Sequence, residues 1–113
     1  MITVYHNPRC GKSRECIAFL EASNKTFEIV KYLDAPISKE KLTELIYKLG
    51  IPAIDLIRTK EPLWIKNYKE KKLSNEDVIS AILNHPILME RPVVMFKNKA
   101  IIARPLSKIE EIL

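Results

Sequence analysis

The sequence has few of the residues that mark special classes of protein. It contains two cysteines, two histidines, two glycines and one tryptophan among 113 residues. Two cysteines cannot form the disulfide framework of a small secreted domain, and the cysteines and histidines lack the paired spacing of a structural zinc site. No apolar run approaches the roughly 20 residues of a membrane span, and no signal peptide is recognised. We therefore expect one domain, residues 1–113, in the cytoplasm, without a metal or a membrane partner.

Positive charge is in excess, but its distribution argues against a nucleic-acid partner. The net charge is +5, and the lysines scatter along the chain, with their densest run at residues 69–72. We interpret most of them as solvated surface. Only five of the nineteen basic residues are arginines: Arg9, Arg14, Arg58, Arg91 and Arg104. Because the planar guanidinium group can bind an oxyanion through two hydrogen bonds, these positions are more informative than the net charge.

The apolar pattern predicts an α/β fold. We predict strands at Ile2–Tyr5, 26–30, Val93–Phe96 and 100–103, helices at 13–22, 38–50, 74–84 and 106–113, and a helical piece around Trp64 and Tyr68. The initial strand, helix and strand imply parallel pairing, whereas the short loop at 97–99 predicts a hairpin. The expected architecture is a mixed four-stranded sheet with a helical insertion between a βαβ half and a ββα half.

The most informative residue is Cys10, which lies between the first predicted strand and the first predicted helix. A helix N-terminus carries partial positive charge and free backbone N–H groups, so it favours a thiolate over a thiol. Arg9, Lys12 and Arg14 place three cations close to Cys10 in sequence. We therefore predict that Cys10 is a nucleophile rather than a packing residue.

Ser13 and Cys16, which both follow Cys10 in the first predicted helix, are predicted to be less reactive than Cys10. Ser13 occupies the position of the second thiol of a Cys-x-x-Cys motif, and we expect its hydroxyl either to cap the helix or to bond the Cys10 sulfur. Cys16 falls in line with Ile17 and Leu20, which favours core packing over a resolving role. The protein would then have one reactive thiol.

The order of the predicted elements is that of a thioredoxin-like fold. A cysteine follows the first strand, and a proline, Pro92, immediately precedes the third strand. A cis peptide bond at Pro92 would bring its loop against the cysteine loop, and we predict that bond from this context rather than from its low general frequency.

Four segments resemble the glutaredoxin-dependent arsenate reductases, the ArsC-like branch of the thioredoxin superfamily. They are residues 5–14 (YHNPRCGKSR), 56–58 (LIR), 85–94 (HPILMERPVV) and 103–105 (ARP), in the order that the family shows. The resemblance implies that Cys10 is the nucleophile and that Arg58, Arg91 and Arg104 surround a bound oxyanion. It also implies that His6 helps to hold the thiolate loop, although a polar residue packed beneath the loop is an equal alternative.

The activity implied by this resemblance is reduction of arsenate to arsenite. Glutathione is the implied co-substrate, glutaredoxin the implied protein partner, and no bound cofactor is needed. We expect a monomer. Two alternatives stay open: a general glutathione-dependent thiol reductase without arsenate activity, and a redox-responsive transcription regulator of the Spx type that binds RNA polymerase. The serine at position 13 counts against the regulator, because those proteins typically use a Cys-x-x-Cys switch.

Overall fold

Four short strands form one mixed sheet in the computed structural model, which describes all residues 1–113. The strands are β1 (Ile2–Tyr5), β2 (Phe27–Val30), β3 (Val93–Phe96) and β4 (Lys99–Ile102). Their order in the sheet is β2-β1-β3-β4, with β1 parallel to β2 and antiparallel to β3, and with β3 antiparallel to β4. The prediction of a mixed four-stranded sheet is confirmed, and β4 begins and ends one residue earlier than predicted.

The backbone contacts divide the chain into two units. The first comprises Met1–Ala35 and Arg91–Leu113, and the second comprises Pro36–Glu90. The first contains the whole sheet and α1 (Gly11–Ala22), and the second contains only helices and turns. The predicted insertion of helices between a βαβ half and a ββα half is therefore confirmed, whereas the organisation as one domain stays a prediction.

The first unit has its own hydrophobic core. Helix α1 contributes the fully buried Cys16 and Leu20, which cluster with Ile2, Val4, Val94, Ala103 and Ile109. The buried Ile109 belongs to a 3₁₀ segment, Leu106–Glu111, and not to the α-helix predicted at 106–113. The α-helix predicted at 106–113 was therefore wrong in type, although the 3₁₀ segment still places one apolar side chain in the core.

The second unit is built from three helices and two 3₁₀ segments. They are α2 (Lys39–Leu49), α3 (Pro62–Asn67) and α4 (Asn75–Asn84), with 3₁₀ segments at Ala53–Leu56 and Pro86–Leu88. Helix α4 contacts α2 and both 3₁₀ segments, and an isolated bridge pairs Ile57 with Met89. No helix anywhere in the chain combines the length and the apolar character that crossing a bilayer requires.

Capping residues set the helix boundaries in the second unit, at the starts predicted for the helices at 38–50 and 74–84. Ser38 Oγ accepts a hydrogen bond from the Lys41 N–H, and Ser74 forms a reciprocal capping box with Asp77. Helix α2 ends at Gly50, whose φ of 65° lies in the left-handed region. A glycine is favoured there because it has no Cβ to clash with the following carbonyl oxygen.

We expect Gly50→Ala to lower the free energy of unfolding by about 1 kcal/mol, because an L-residue is strained at this φ. A Cβ at this position meets no atom within 4 Å, so the cost is conformational rather than steric. Gly50→Asn is the matched control, since asparagine enters the left-handed region more readily and should cost less. Urea unfolding measures the free energies of unfolding of the wild type and the two variants. Equal values for all three proteins would contradict the prediction.

Candidate active site at Cys10

Cys10 is held by a tight turn between β1 and α1. The Cys10 N–H donates to the Asn7 carbonyl at 3.0 Å, and Asn7 Oδ1 accepts the Arg9 N–H at 3.0 Å. Cys10 itself is the N-cap of α1, with extended φ and ψ of −96° and 123°, and its side chain makes no capping hydrogen bond. Asn7 was not singled out from the sequence, although an asparagine before a proline is a common start of a turn. The turn presents a half-buried sulfur to the first turn of the helix.

The surroundings of Cys10 favour its thiolate. Partial burial acts to raise the pKa of Cys10, but the Ser13 N–H, the charge of Arg91, the Lys12 N–H and a side-chain hydrogen bond from Arg91 outweigh it, so the pKa is lowered. The backbone donors are the orphan amides of the helix N-terminus. The nucleophile predicted at Cys10 therefore lies where a thiolate is stabilised by both a helix end and a guanidinium group.

Pairing of β1 with β3 explains how Arg91 reaches Cys10 across 80 positions of sequence. The strands are antiparallel and Tyr5 pairs with Val93, so residues that follow Tyr5 and residues that precede Val93 lie at the same end of the sheet. The Arg91-Pro92 peptide bond is cis, which confirms the prediction for Pro92. The half-buried Arg91 and the cysteine loop are therefore neighbours because of the sheet register.

Arg104 lies beside the same segment. Its Nη1 donates to the Arg91 carbonyl at 3.2 Å, and the neighbouring Ala103 N–H donates to the Pro92 carbonyl at 3.0 Å. The Arg104-Pro105 peptide bond is also cis. The first unit thus brings together Cys10, Arg91, Pro92 and Arg104, four of the residues predicted for the site.

Arg58 belongs to the second unit. Its Nη1 donates to the Ile87 carbonyl at 3.2 Å, and its Nη2 lies 3.4 Å from a carboxylate oxygen of Glu61. The guanidinium group is therefore oriented by contacts within residues 36–90. Its part in the oxyanion site stays a prediction.

His6 and Ser13 form a buried polar pair under the cysteine loop. His6 Nδ1 lies 2.5 Å from Ser13 Oγ, which also accepts the Asn7 N–H at 3.0 Å. Because Oγ already accepts one hydrogen bond, its own proton can be donated to Nδ1 of a neutral imidazole. Desolvation by burial, followed by the charges of Lys31 and Arg14, lowers the pKa of His6 and favours that neutral form.

This arrangement corrects the prediction for the Ser13 hydroxyl. Ser13 is fully buried in the first turn of α1. Its Oγ bonds His6 and the Asn7 N–H, and it neither caps the helix nor bonds the Cys10 sulfur. The contact of Ser13 with Cys10 is made by its backbone N–H. The hydroxyl faces the interior because Cys10, three residues earlier, already occupies the N-cap. His6 therefore packs beneath the loop and bonds it through Ser13, and a role in stabilising the thiolate stays a prediction.

The burial of neutral His6 predicts loss of stability at mildly acidic pH. An unfolded histidine takes up a proton near pH 6.5, whereas the folded state resists it, so the free energy of unfolding falls as the pH drops below about 6.5 toward the folded pKa. We expect His6→Asn to remove part of this dependence, because the asparagine amide cannot be protonated there. Urea unfolding at several pH values from 7.5 to about 5.5 measures the slope.

The matched control for this prediction is His85→Asn, which removes the only other histidine. His6→Asn should lose less stability than the wild type as the pH falls, and the same measurement on His85→Asn shows whether the effect is particular to His6. An unchanged slope in His6→Asn would show that carboxylates alone govern the acid response.

Two of the three cations nearest to Cys10 in sequence, Arg14 and Lys12, have other contacts. Arg14 Nη1 donates to the Pro8 carbonyl at 3.0 Å, and Lys12 Nζ lies 3.9 Å from a carboxylate oxygen of Glu15, with both side chains exposed. Neither Arg14 nor Arg9 is among the groups that lower the pKa of Cys10. The prediction that these three side chains favour the thiolate was wrong: the Lys12 backbone N–H contributes instead, and the cationic side chain is Arg91. Arg14 therefore stabilises the loop through its hydrogen bond to the Pro8 carbonyl.

Cys16 differs from Cys10 in every relevant respect. Its side chain is 0% exposed and packs in the core of the first unit, which confirms the sequence prediction. Desolvation raises the pKa of Cys16 to about 11, so it stays a thiol at neutral pH. A thiol in that state is a poor nucleophile.

The residues present do not suggest a metal centre. Nowhere in the chain do three His, Cys, Asp or Glu side chains come close enough to share a metal ion. What the site offers is one stabilised thiolate with arginine beside it. Such a group can attack an electrophilic centre in an anion, because the cation reduces the repulsion between the two negative charges.

A cysteine with a lowered pKa at the first helix N-terminus, next to a cis-proline loop and on a mixed four-stranded sheet, is typical of the thioredoxin-like class. A sequence model of the ArsC family matches residues 5–112. The chain belongs to the ArsC family.

Individual relatives agree with this assignment. An arsenate reductase of Neisseria meningitidis serogroup A is 41% identical, over 99% of this chain and 97% of its own length. An arsenate reductase of Escherichia coli K12 is 35% identical, over 99% of this chain and 80% of its own length. The solved structure of an arsenate reductase from Vibrio cholerae is 37% identical, with a TM-score of 0.94, and the match covers 99% of this chain and 97% of that one.

Proposed function

We propose that this protein reduces arsenate to arsenite, with Cys10 as the nucleophile and with glutathione and glutaredoxin as the source of electrons. The observation that carries the proposal is the placement of Cys10 at the N-terminus of α1 with the Arg91 guanidinium group beside it, which together lower the pKa of Cys10. The substrate is supported by relatives that are named arsenate reductases at 35% and 41% identity over nearly the whole chain. The dependence on glutathione and glutaredoxin is supported by the resemblance of the cysteine and arginine motifs.

Arsenate is an anion at neutral pH, so a thiolate approaches it only when cations offset the repulsion. In the proposed site Arg91 and Arg104 bind the oxygens of the substrate, since guanidinium groups match a tetrahedral oxyanion with paired hydrogen bonds. Arg58 is proposed as a third such group. The N–H groups of α1 supply further donors to the anion or to the sulfur.

The proposed reaction begins with attack of the Cys10 thiolate on arsenic. An S–As bond forms, and an arsenate hydroxyl takes up a proton and leaves as water. A glutathione thiolate then attacks the Cys10 sulfur, so that an S–S bond forms and the S–As bond breaks. The electron pair of the broken bond stays on arsenic, which is reduced to arsenite while the two sulfurs are oxidised.

The product on the protein is a mixed disulfide between Cys10 and glutathione. A thiolate of glutaredoxin attacks the glutathione sulfur and releases Cys10 as a thiolate, which completes the cycle. Both cysteines of the chain are free thiols, and the cycle requires a pool of reduced glutathione. We therefore also propose the cytoplasm as its compartment.

The experiment is arsenate-dependent oxidation of NADPH, coupled through glutathione reductase, with glutathione and glutaredoxin supplied and then omitted in turn. We expect NADPH consumption only when arsenate, glutathione and glutaredoxin are all present, and none when phosphate replaces arsenate. Turnover of a small mixed disulfide without any turnover of arsenate would overturn the proposal in favour of a general thiol reductase. Inactivity toward both, together with retention on immobilised RNA polymerase, would favour the regulator.

A further inference from the structure

The second unit contains a cavity of about 670 Å³ that the proposed reaction does not use. It is lined by Ile54, Thr59, Lys60, Trp64, Ile65, Lys69, Lys71 and Leu73. All of these residues lie within Pro36–Glu90. The volume falls in the range of about 300–1,000 Å³ that is usual for small organic ligands.

One part of this cavity is apolar and well ordered by its own contacts. Trp64 is only 5% exposed, and its ring stacks on Tyr68 with a centroid distance of 5.1 Å and an interplanar angle of 20°. Ile54 and Ile65, which also line the cavity, are 39% and 48% exposed. Trp64, whose ring stacks on Tyr68 behind it, therefore forms part of one wall, and the two isoleucines present apolar surface to solvent that a ligand would bury.

The charged residues that line the cavity are all positive. Lys60, Lys69 and Lys71 line it, and no carboxylate does. None of the three lysines forms an ion pair within the protein. The acidic residues adjacent to these lysines in sequence, Glu61 and Glu70, do not line the cavity, and Glu61 is paired with Arg58.

The adjoining hollow has a different character. It shares Lys71 and Leu73 with the cavity, but its lining also includes the Asp77 carboxylate, which is engaged in the cap of α4. Exposed apolar surface together with lysines that form no ion pair therefore distinguishes the cavity around Trp64 from this hollow.

We propose that this cavity binds an amphipathic organic anion, with an apolar chain or ring against Trp64 and Ile65 and a carboxylate at the lysines. The apolar part of the ligand would be buried against the apolar lining, which supplies binding free energy. The ammonium groups of the lysines favour a negatively charged head group. Lysine suits this role because its ammonium group on a flexible stem can meet a single carboxylate at a partly exposed rim. The inference is independent of the chemistry at Cys10.

The test uses Trp64, which is the only tryptophan of the chain and lines the cavity. We expect sodium decanoate, below the concentration at which it forms micelles, to change Trp64 fluorescence saturably. Decanol and decylammonium have the same chain with a neutral and a cationic head group, and we expect both to bind more weakly. Equilibrium dialysis with labelled decanoate gives a second measure of binding. Absence of saturable binding by dialysis, or equal affinity for the three compounds, would overturn the proposal.

Two pairs of variants locate the binding. Ile65→Glu and Ile65→Lys place opposite charges at the same exposed position, so we expect the glutamate to weaken decanoate binding and the lysine to preserve or strengthen it. Equal losses in both would show that the cavity recognises only apolar surface, which contradicts the proposed anion. The double variant Lys60→Gln/Lys69→Gln should raise the dissociation constant about threefold to tenfold.

The control for the double variant is Lys25→Gln/Lys108→Gln, which removes the same charge from exposed positions outside the cavity lining. We expect this control to bind decanoate as the wild type does. A similar loss in both double variants would assign the effect to the net charge of the protein and overturn the site. Circular dichroism and urea unfolding establish that each variant is folded before it is compared.

Discussion

We expect Cys10→Ser to abolish the proposed arsenate reduction, with a loss of about 10³-fold or more in kcat/KM. A serine hydroxyl at this position is not ionised, and its oxygen cannot form the disulfide through which the electrons pass, so no alternative route through residue 10 exists. The loss should appear in kcat at saturating arsenate, because the arginines and the helix N-terminus that are proposed to bind the oxyanion are unchanged. The coupled NADPH assay measures it.

Cys16→Ser is the matched control for this variant. Cys16 is fully buried and its pKa is raised to about 11, so it contributes packing and not chemistry. We expect this variant to keep turnover while losing some stability, because a hydroxyl replaces a buried thiol in an apolar core. Equal loss of turnover in both folded variants would show that the reaction needs two protein thiols, and the proposed mixed disulfide with glutathione would then be wrong.

The second large effect is expected at Arg91. Arg91→Ala removes both the charge and the side-chain hydrogen bond that lower the pKa of Cys10, so this pKa should rise. It also removes a proposed contact to the oxyanion, for which a loss of about 10²-fold to 10³-fold in turnover is expected. The rate of alkylation by iodoacetamide as a function of pH reports the thiol, and the coupled assay reports the turnover.

Arg9→Ala tests which arginine lowers the pKa of Cys10: Arg9, which is adjacent in sequence, or Arg91, which is adjacent in the structure. Arg9 is adjacent to Cys10 and carries the same charge as Arg91, but it is exposed and is not among the groups that lower the Cys10 pKa. We expect its alkylation profile to match that of the wild type. A larger rise of the Cys10 pKa in Arg9→Ala than in Arg91→Ala would show that Arg9 is the stabilising cation. Arg91→Lys keeps the charge but not the planar guanidinium group, so it measures how much of the pKa shift is due to charge alone.

Features that depend on local sequence could be predicted well. The strands β1 and β3 have their predicted bounds, Ser38 and Ser74 cap helices, and Gly50 ends one. These features follow from apolar periodicity and capping preferences within a few residues. The same local information placed Cys10 at a helix N-terminus, where the backbone donors are inherent in the helix.

Features that depend on pairing across the chain could not be obtained in this way. Proximity in sequence favoured Arg9 and Arg14 as partners of Cys10, whereas the register of β1 against β3 brings Arg91 to it. The Ser13 hydroxyl was assigned to the helix end because its buried partner, His6, lies on the other side of the turn. Only the resemblance to a family identified Arg91 and Arg104 in advance, since no spacing rule connects them with residue 10.

The contacts that lower the pKa of Cys10 also affect the energetics of its oxidation. A sulfur in a mixed disulfide carries no charge, so it loses the attraction to Arg91 and most of the benefit of the helix amides. The reduced protein is therefore stabilised relative to the oxidised one, which gives the Cys10 disulfide a high reduction potential and makes Cys10 a good leaving group for an incoming thiol. Equilibration with reduced and oxidised glutathione should show that Arg91→Ala holds the mixed disulfide more firmly than the wild type does. In the proposed cycle the fold thus favours return of Cys10 to the reduced state after each oxidation, and the buried Cys16 takes no part in it.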